Sequence, residues 1–240
     1  MKRKALFGIL IGLGAVVLVT VGHYSVAVYN ARKYTRAVIV PRIESEPMPL
    51  EVTDLSEREL QILLAVEDPA FYEHGGVDFR TPGAGITTIT QGLVKQLYFE
   101  KFKPGVAKLR QTLIAAFALD PLVPKDDQLR LFINRCYLGK GTQGFEEAAR
   151  AYYDKPFASL TEDEYISLVA MIIAPRTFNL ERYPERNAER VRRIKKLVAG
   201  EYVPKGVMDL FYGRLDEETQ KHVPPFSYFE RYYREEEQSS

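Results

Sequence analysis

The chain begins with an uninterrupted apolar run and continues as segments whose apolar residues recur at helical spacing. Residues 5–22 carry no charge and just reach the length that crosses the hydrocarbon core of a bilayer. The three basic residues before this run would stay in the cytoplasm by the positive-inside bias, which places the rest of the chain outside. We therefore predict a basic cytoplasmic flank over residues 1–4 and a transmembrane anchor over 5–27, with a cleaved signal peptide as the alternative.

Charges and prolines follow the apolar run, and residues 28–52 are predicted to form an extended tether. Helical spacing then returns and persists to about residue 200, with no alternation of strands and helices. This pattern predicts a mainly α domain over residues 53–200. We expect a C-terminal extension over 201–240, with a disordered tail.

Start and stop signals locate the helices of this domain. Ser56 with Glu59 forms a capping box, and Pro69 ends the helix that follows. Thr87 or Thr88 caps the next helix. Further helices are predicted within residues 105–120, 125–139, 144–155, 161–174 and 184–200.

Bulk composition excludes several classes of site. Lys and Arg total 33 against 32 Asp and Glu, so no overall charge favours nucleic acid as a partner. Cys136 is the only cysteine, which excludes an intrachain disulfide and a cysteine-based metal site.

The stretch "AVEDPAFYEHGGVDF" contains the strongest candidate for acid–base chemistry. Glu67 lies at a helix C-terminus beside Asp68, where partial burial, the helix dipole and the second acid all raise its pKa. A carboxylate tuned in this way can remove a proton from a hydroxyl near neutral pH. The alternative is an exposed acid pair at a frayed helix end. His74 could hydrogen-bond a substrate or serve a structural role, since no second ligand stands at metal spacing.

A cluster of hydroxyl, amide and ammonium groups follows. The helical spacing places Thr88, Gln91 and Lys95 on the face away from the apolar residues, at a helix start that suits a phosphate. Lys108 and Arg110 extend the positive charge. We therefore predict an anion-binding site here.

Aromatic and basic residues alternate directly after this helix. Their combination suits contact with an anionic membrane surface, and the alternative is a basic loop with buried aromatics. The residues predicted to contact the membrane are Tyr98, Phe99, Lys101, Phe102 and Lys103.

These residues resemble the motifs of the family 51 glycosyltransferases, the peptidoglycan transglycosylases. The first family motif, E-D-x-x-F-x-x-H-x-G, is matched at every specified position by Glu67, Asp68, Phe71, His74 and Gly76. "GITTITQG" resembles the second motif and supplies Thr87, Thr88, Thr90 and Gln91. "INRCYLGKGTQGFEEAARAYYDK" resembles the fourth motif and supplies Asn134 and Lys155, and "LTEDEYISLVAMIIAPRTFN" resembles the fifth.

The resemblance implies a lysozyme-like, two-lobed helical domain behind a single transmembrane helix in the bacterial cytoplasmic membrane, with the domain outside the cytoplasm. It implies that lipid II and a lipid-linked glycan strand are substrates, that Glu67 is the general base, and that the anomeric carbon is inverted. Other cell-wall synthases are implied as partners. The substrate-binding residues would be Asp68, Phe71, His74, Gly76, Thr87, Thr88, Thr90, Gln91, Lys95, Lys108, Arg110, Asn134 and Lys155.

The third family motif, R-K-x-x-E-x-x-x-A, is altered in this chain. Its glutamate, the family's second key acid, is assigned to the leaving group and to metal binding, and Thr112 stands at that position. Arg130 likewise replaces the glutamate that normally opens the fourth motif. The resemblance therefore leaves open whether a divalent metal, Mg²⁺ or Mn²⁺, is used or no cofactor at all.

Three functions fit this pattern. A more basic pocket can neutralise a pyrophosphate without a metal, which favours an active glycosyltransferase. A catalytically impaired scaffold that binds lipid II or a partner synthase is the alternative. A glycan-cleaving hydrolase is disfavoured, because it needs a second carboxyl group at a paired distance.

Overall fold

The computed structural model describes residues 2–102 and 105–223, and regular structure in these residues is almost entirely helical. An antiparallel bridge joins Tyr137 and Gln143. The predicted mainly α class is therefore confirmed. The helices are α1 (Lys2–Tyr34), α2 (Val40–Ser45), α3 (Glu57–Glu67), α4 (Ile89–Tyr98), α5 (Val106–Ile114), α6 (Lys125–Arg135), α7 (Gly144–Tyr153), α8 (Glu162–Ile172), α9 (Pro184–Val198) and α10 (Glu217–His222). Two π-helical segments, Thr35–Ile39 and Ala115–Leu119, continue α1 and α5, and short 3₁₀ turns span Val52–Asp54 and Phe157–Ser159.

Helix α1 is long and apolar enough to cross a membrane. The apolar stretch lies within residues Leu6–Ser45, where an 18-residue window has a mean hydropathy of 2.2 and none of it is buried by the rest of the protein. An N-terminal signal sequence would have the same length and composition.

The prediction of an extended tether is wrong for residues 30–45. The chain continues from α1 through a π-helical segment into α2, so that helix replaces extended chain. Thr35 and Ile39 in this stretch are buried against the domain, which stabilises the helix beyond its local propensity. Pro41 is accommodated because it lies in the first turn of α2.

The end of α1 is bonded to the π-helical segment that follows α5. The Arg32 guanidinium donates to the Phe117 carbonyl at 2.5 Å, and the Thr35 hydroxyl lies 2.6 Å from the Tyr98 hydroxyl of α4. A π-helical turn alters the regular pairing of its carbonyls, which leaves them available to such donors. The end of α1 is therefore part of the folded domain.

Helix α8 forms the centre of the hydrophobic core. Ile166, Leu168, Val169, Ala170 and Met171 are successive or nearly successive, and each is at most 1% exposed. A helix buried on all sides needs neighbours on all sides, and α3, α7 and α9 pack around it.

Most predicted helix boundaries are observed. Capping boxes form at Ser56 with Glu59 and at Thr161 with Glu164, as predicted. Helix α6 ends before Gly139, the predicted stop, because the chain there already turns back towards the β-bridge. Gly139 has φ +86° and supplies the left-handed turn.

The C-terminal extension contains ordered structure that sequence analysis missed. Helix α10 is bonded to α9 by Arg186 and Glu218 at 3.2 Å, and Arg193 of α9 bonds the coil before α10. Thr177, in the coil before α9, donates to the His222 carbonyl at 2.6 Å. The predicted disordered tail falls on residues 224–240, which lie outside the described residues.

The packing of the π-helical segment after α1 predicts how a substitution there changes the free energy of unfolding. Ile39 is 3% exposed, so Ile39→Ala should lower the free energy of unfolding by about 2–4 kcal/mol. The exposed neighbour Arg36→Ala is the matched control and should change it by less than about 0.5 kcal/mol. Thermal or chemical unfolding of the full chain in detergent measures both. Equal effects of the two substitutions would mean that this segment does not pack on the domain.

Candidate active site around Glu67

Glu67 is the last residue of α3, and the residues around it favour its protonated form. Its side chain is partly buried, and Asp68 follows it at the helix C-cap. Burial raises the pKa of Glu67 to about 7; Arg190 opposes this shift, and Asp68 adds to it. A carboxylate with that pKa is suited to general-base chemistry at neutral pH.

A buried arginine and a buried tyrosine complete the surroundings of Glu67. Arg190 of α9 is 3% exposed, and its guanidinium donates to the Ala170 carbonyl at 3.0 Å and the Leu210 carbonyl at 3.1 Å. The guanidinium carbon lies 5.6 Å from the centroid of the Tyr212 ring. Burial lowers the pKa of Arg190, and the charges of Tyr212 and Glu67 oppose that shift. Burial raises the pKa of Tyr212 to about 12, and the charge of Glu67 adds to that shift.

Sequence analysis missed both residues. Arg190 had a usable signal, because it shares the buried face of α9 with Asn187 and Ile194 at spacings of three and four. A charged residue within an apolar helix face is a candidate for a buried functional role. Tyr212 lies in coil and had no such signal.

Asp68 links the end of α3 to the start of α4. Its side chain is fully buried, with one oxygen 2.8 Å from His74 Nε2 and the other accepting from the Ile89 backbone N–H at 3.0 Å. The N-terminus of a helix favours such a negative group. The oxygen that lies near Nε2 holds the His74 ring, whose buried Nδ1 has no hydrogen-bond partner in the described part of the chain.

The remaining first-motif residues are framework around this link. Phe71 is 1% exposed, with the Lys125 ammonium 4.6 Å from its ring centroid. Gly76 has φ +82°, and a Cβ there would stand 2.7 Å from the Ala115 carbonyl oxygen, so a side chain does not fit. These residues hold the loop after α3 against the π-helical segment after α5.

The predicted outward polar face of α4 is wrong at Gln91 and Thr88, which are 0% and 4% exposed. The two form the capping box: Thr88 accepts from the Gln91 N–H at 3.1 Å, and Gln91 Oε1 accepts from the Thr88 N–H at 3.0 Å. Thr90 is also buried and donates to Gln128 at 2.7 Å. Capping turns these polar groups inward, because unsatisfied backbone N–H groups at a helix start need partners.

Two ammonium groups and two threonine hydroxyls lie together at the edge of this framework. The Lys108 ammonium donates to the exposed Thr87 hydroxyl at 2.7 Å. Burial lowers the pKa of Lys108 to about 8, and burial followed by repulsion from Lys108 lowers that of Lys95 to about 8. Thr112 accepts from Gln91 Nε2 at 2.9 Å and donates to the Lys108 carbonyl at 2.9 Å. We define Thr87, Lys95, Lys108 and Thr112 as the cationic pocket.

Three residues expected at the substrate lie elsewhere. Asn134 bonds both backbone groups of Leu50, at 3.0 and 2.8 Å. Lys155 pairs with Glu164 at 2.6 Å, at the start of α8. Arg110 is exposed, with its guanidinium carbon 5.3 Å from the Phe99 ring centroid.

Arg130, which stands where the fourth family motif has a glutamate, is also bonded within the protein. Its guanidinium donates to the Ile43 carbonyl at 2.9 Å and lies 2.7 Å from the Glu51 carboxylate. The residue that replaces a family glutamate therefore ties α6 to the segment that was predicted to be a tether.

The predicted membrane-contact residues are partly turned inward. Tyr98 bonds Thr35, and Phe102 is 7% exposed with its ring centroid 5.2 Å from that of Phe99. Lys101 is exposed, and Lys103 lies outside the described residues.

An exposed apolar patch on α5 and the π-helical segment after it was not predicted. Val106, Leu109 and Phe117 are 76%, 48% and 55% exposed. Large exposed apolar groups beside a long apolar helix suit contact with a lipid surface.

The donor set around the cationic pocket does not fit a divalent metal. Thr112 supplies a hydroxyl where the family implies a carboxylate, and the nearest charged groups are ammonium ions. Within residues 2–102 and 105–223, no group of three or more His, Cys, Asp or Glu side chains could hold a metal ion. Divalent metals such as Mg²⁺ prefer carboxylate oxygens.

A cavity of about 650 Å³ lies between the β-bridge region and the coil before α9. Tyr137, directly after Cys136, forms part of its wall, and burial together with the charge of Glu67 raises the pKa of the Cys136 thiol. The lining residues are Tyr137, Gly139, Lys140, Pro175, Arg176, Asn179, Glu181 and Arg182. Hydroxyl, amide and cationic groups of this kind suit a sugar or peptide with negative charge.

Comparison with known proteins identifies relatives. A family model described as Transglycosylase matches residues 37–199, so the match starts within the predicted tether. Penicillin-binding protein 1F of Bacillus subtilis (strain 168) is 27% identical over 199 residues, 74% of this chain and 28% of that protein. Penicillin-binding protein 1A of Escherichia coli (strain K12) is 30% identical over 149 residues, 57% of this chain and 17% of that protein. The chain thus spans less than a third of the length of these relatives.

The raised pKa of Glu67 predicts a pH-dependent stability cost. The folded-state pKa of about 7 exceeds the ordinary 4.5, so ionisation of Glu67 lowers the free energy of unfolding as pH rises from 4.5 to 7. Glu67→Gln removes this cost, and its stability relative to the wild type should increase by about 3 kcal/mol between pH 4 and pH 8. Thermal unfolding across this range measures the difference, with the exposed Glu73→Gln as control. A pH-independent difference would show that Glu67 is not desolvated.

Proposed function

The chain belongs to the transglycosylase family, and on that premise we propose that it is a peptidoglycan glycosyltransferase that polymerises lipid II. The donor is a lipid-linked glycan whose anomeric carbon bears a pyrophosphate. The acceptor is the 4-hydroxyl of a second lipid-linked sugar. Glu67 accepts the hydroxyl proton, the acceptor oxygen bonds to the anomeric carbon with inversion, and the carbon–oxygen bond to the pyrophosphate breaks.

One observation carries this proposal: Glu67, whose carboxyl group has a pKa of about 7, directly precedes Asp68, and Asp68 bonds the start of the helix that leads to the cationic pocket. Asp68 joins Glu67 to the first residue of α4, and the capping box of α4 leads through Thr112 to Lys108. A base and a leaving-group site are thereby held on adjoining elements. Preorganised charge of this kind is the largest source of rate enhancement in many enzymes.

The leaving pyrophosphate is assigned to the cationic pocket. Ammonium groups of Lys95 and Lys108 supply the charge that a metal and its glutamate supply in the family pattern, and the Thr87 hydroxyl supplies a donor. We propose that Asp68, Phe71, His74, Gly76, Thr88, Thr90 and Gln91 position these groups. Asn134 and Lys155 are assigned to the framework, because their side chains already bond the protein.

A second candidate is a scaffold that binds lipid II and works with another cell-wall synthase. The observation that favours it is Thr112, since no carboxylate stands at the position of the family's second acid. The Asp120 carboxylate does not take its place, because it pairs with Lys125 at 2.7 Å and accepts from Gln128 at 3.2 Å. Loss of one electrostatic stabiliser typically costs about 10²–10³ in rate, which slows an enzyme without abolishing it.

We further propose a membrane arrangement for this function. The anchor over residues 5–27 crosses the bacterial cytoplasmic membrane once, with residues 1–4 inside and the catalytic domain outside. The exposed apolar patch of Val106, Leu109 and Phe117 then rests on the lipid surface, and the exposed Lys101 is assigned to the same surface. Lipid II, lipid-linked glycan and the membrane are the proposed partners, and nucleic acid is not.

Replacing the base tests the reaction directly. Glu67→Gln should lower the polymerisation rate by about 10²–10⁴ while the protein stays folded, because no carboxylate then takes the proton from the sugar 4-hydroxyl. Labelled lipid II and gel separation of the glycan product measure the rate, and Glu73→Gln is the control. Full activity of Glu67→Gln would remove Glu67 as the base. Wild-type protein that binds lipid II but makes no polymer would favour the scaffold.

The opposed pKa shifts predict a bell-shaped pH profile. Activity should rise as Glu67 ionises near pH 7 and fall as the ammonium groups of Lys95 and Lys108 lose their protons near pH 8. In Lys108→Arg the side chain keeps its charge at every pH tested, so the alkaline fall in activity should move to higher pH. Measurement of kcat/KM from pH 5 to 10 checks both limbs. An alkaline limb unchanged in both Lys108→Arg and Lys95→Arg would exclude the two lysines as its origin.

A further inference from the structure

A coil segment beyond the family-matched region is bonded to the glycine-rich loop beside Glu67. The family match ends at residue 199, and residues 202–213, which we call the strap, follow it. The Gly83 N–H donates to the Gly206 carbonyl at 2.9 Å, and the Gly85 N–H donates to the Val207 carbonyl at 2.8 Å. The loop over residues 81–86 is thus paired with the strap through its backbone.

Side chains of the strap fit against the same two glycines. A Cβ at Gly83 would stand 2.9 Å from Pro204, and one at Gly85 would stand 2.8 Å from Leu210. Both glycines also have positive φ, +80° and +70°. Only glycine fits both constraints, so the loop sequence is matched to the strap.

The strap is itself fixed to α9. The Arg193 guanidinium donates to the Phe211, Gly213 and Arg214 carbonyls at 3.1, 3.2 and 2.9 Å. Arg190 adds a bond to the Leu210 carbonyl at 3.1 Å. An arginine fork that satisfies several carbonyls holds coil that has no regular structure of its own.

Asp209 closes the strap on itself. Its carboxylate accepts from the Tyr202 hydroxyl at 2.6 Å, the Lys205 N–H at 3.0 Å and the Gly213 N–H at 3.1 Å. These bonds bring the two ends of the strap together. A strap closed in this way can act as one rigid unit on the loop.

The strap also reaches the helix that ends in Glu67. Tyr212 is 4% exposed and has φ +53°, and its hydroxyl donates to the Val66 carbonyl at 3.3 Å. Backbone strain in a buried residue persists only where the surrounding contacts impose it. The strap therefore touches both sides of the candidate site, the residue before Glu67 and the loop that leads into Thr87.

We propose that the strap is a positioning element, which holds the loop over residues 81–86 so that Thr87 meets Lys108 and the pyrophosphate of the donor. The inference rests on the proposed function. Without the strap, residues 81–86 would lose their two backbone partners and their side-chain cover, and a glycine-rich coil gains much entropy on release. The cationic pocket would then be formed only part of the time, and the ligand would bind more weakly by that fraction.

Two strap variants and one control test this role in the full-length protein. Leu210→Ala removes the contact on Gly85, and Asp209→Asn weakens the closure of the strap. Val203→Ala is the matched control, because Val203 lies in the strap but is 75% exposed. Leu210 is only partly buried, so Leu210→Ala should fold.

The first measurement is the rate of trypsin cleavage after the exposed Arg80, followed by mass spectrometry. Both strap variants should be cut about tenfold faster than the wild type, since the loop opens more often, and Val203→Ala should not. The second measurement is the dissociation constant of inorganic pyrophosphate, which should rise about fivefold in the strap variants alone. Neither measurement requires polymer formation.

The outcomes separate this proposal from the proposed function. Faster cleavage with unchanged pyrophosphate binding would overturn it, because the strap would then stabilise the loop without shaping the pocket. Unchanged cleavage, or a wild-type protein that does not bind pyrophosphate, would also overturn it. If the wild type makes no polymer and the strap variants still show both expected changes, the transferase would be refuted and the positioning role of the strap would be supported.

Discussion

The buried carboxylate of Asp68 is the interaction on which the arrangement of the site depends. Its two oxygens bond the His74 ring and the first backbone N–H of α4, so they join the end of one helix to the start of another. A buried charge is tolerated because both oxygens have strong partners and a helix N-terminus faces one of them. Asp68 fixes the C-terminal end of α3 and thereby the position of Glu67, the last residue of that helix.

Burial acts on the groups of opposite charge around this link and moves both towards neutrality. It raises the pKa of Glu67 to about 7 and lowers the pKa values of Lys95 and Lys108 to about 8. The same desolvation thus makes a base that can hold a proton near pH 7 and ammonium groups that are still mostly charged at pH 7 but lose their protons near pH 8. Arg190 limits the effect on Glu67, because a guanidinium keeps its charge when it is buried among aromatic rings and carbonyl groups.

Helix α1 is continuous with the segment that packs on the domain, which gives the site a fixed relation to this helix. The helical chain runs from α1 to Ser45, and Arg32 and Thr35 bond residues of the π-helical segment after α5 and of α4. The same π-helical segment touches Gly76 through the Ala115 carbonyl. The apolar helix, the exposed apolar patch and the loop after Glu67 therefore belong to one packed unit.

The sequence by itself determined what depends on neighbouring residues: the capping boxes, the stops at proline, the long apolar helix and the first-motif spacing that made Glu67 the candidate base. Tertiary structure alone decided which polar groups turn inward, as at Gln91, and which coil becomes helix, as over residues 30–45. It also brought Arg190 and Tyr212 to Glu67 from distant parts of the chain. The reason is physical: capping and helical periodicity act within a turn or two, whereas burial and the pKa shifts it causes depend on elements that meet only when the chain has folded.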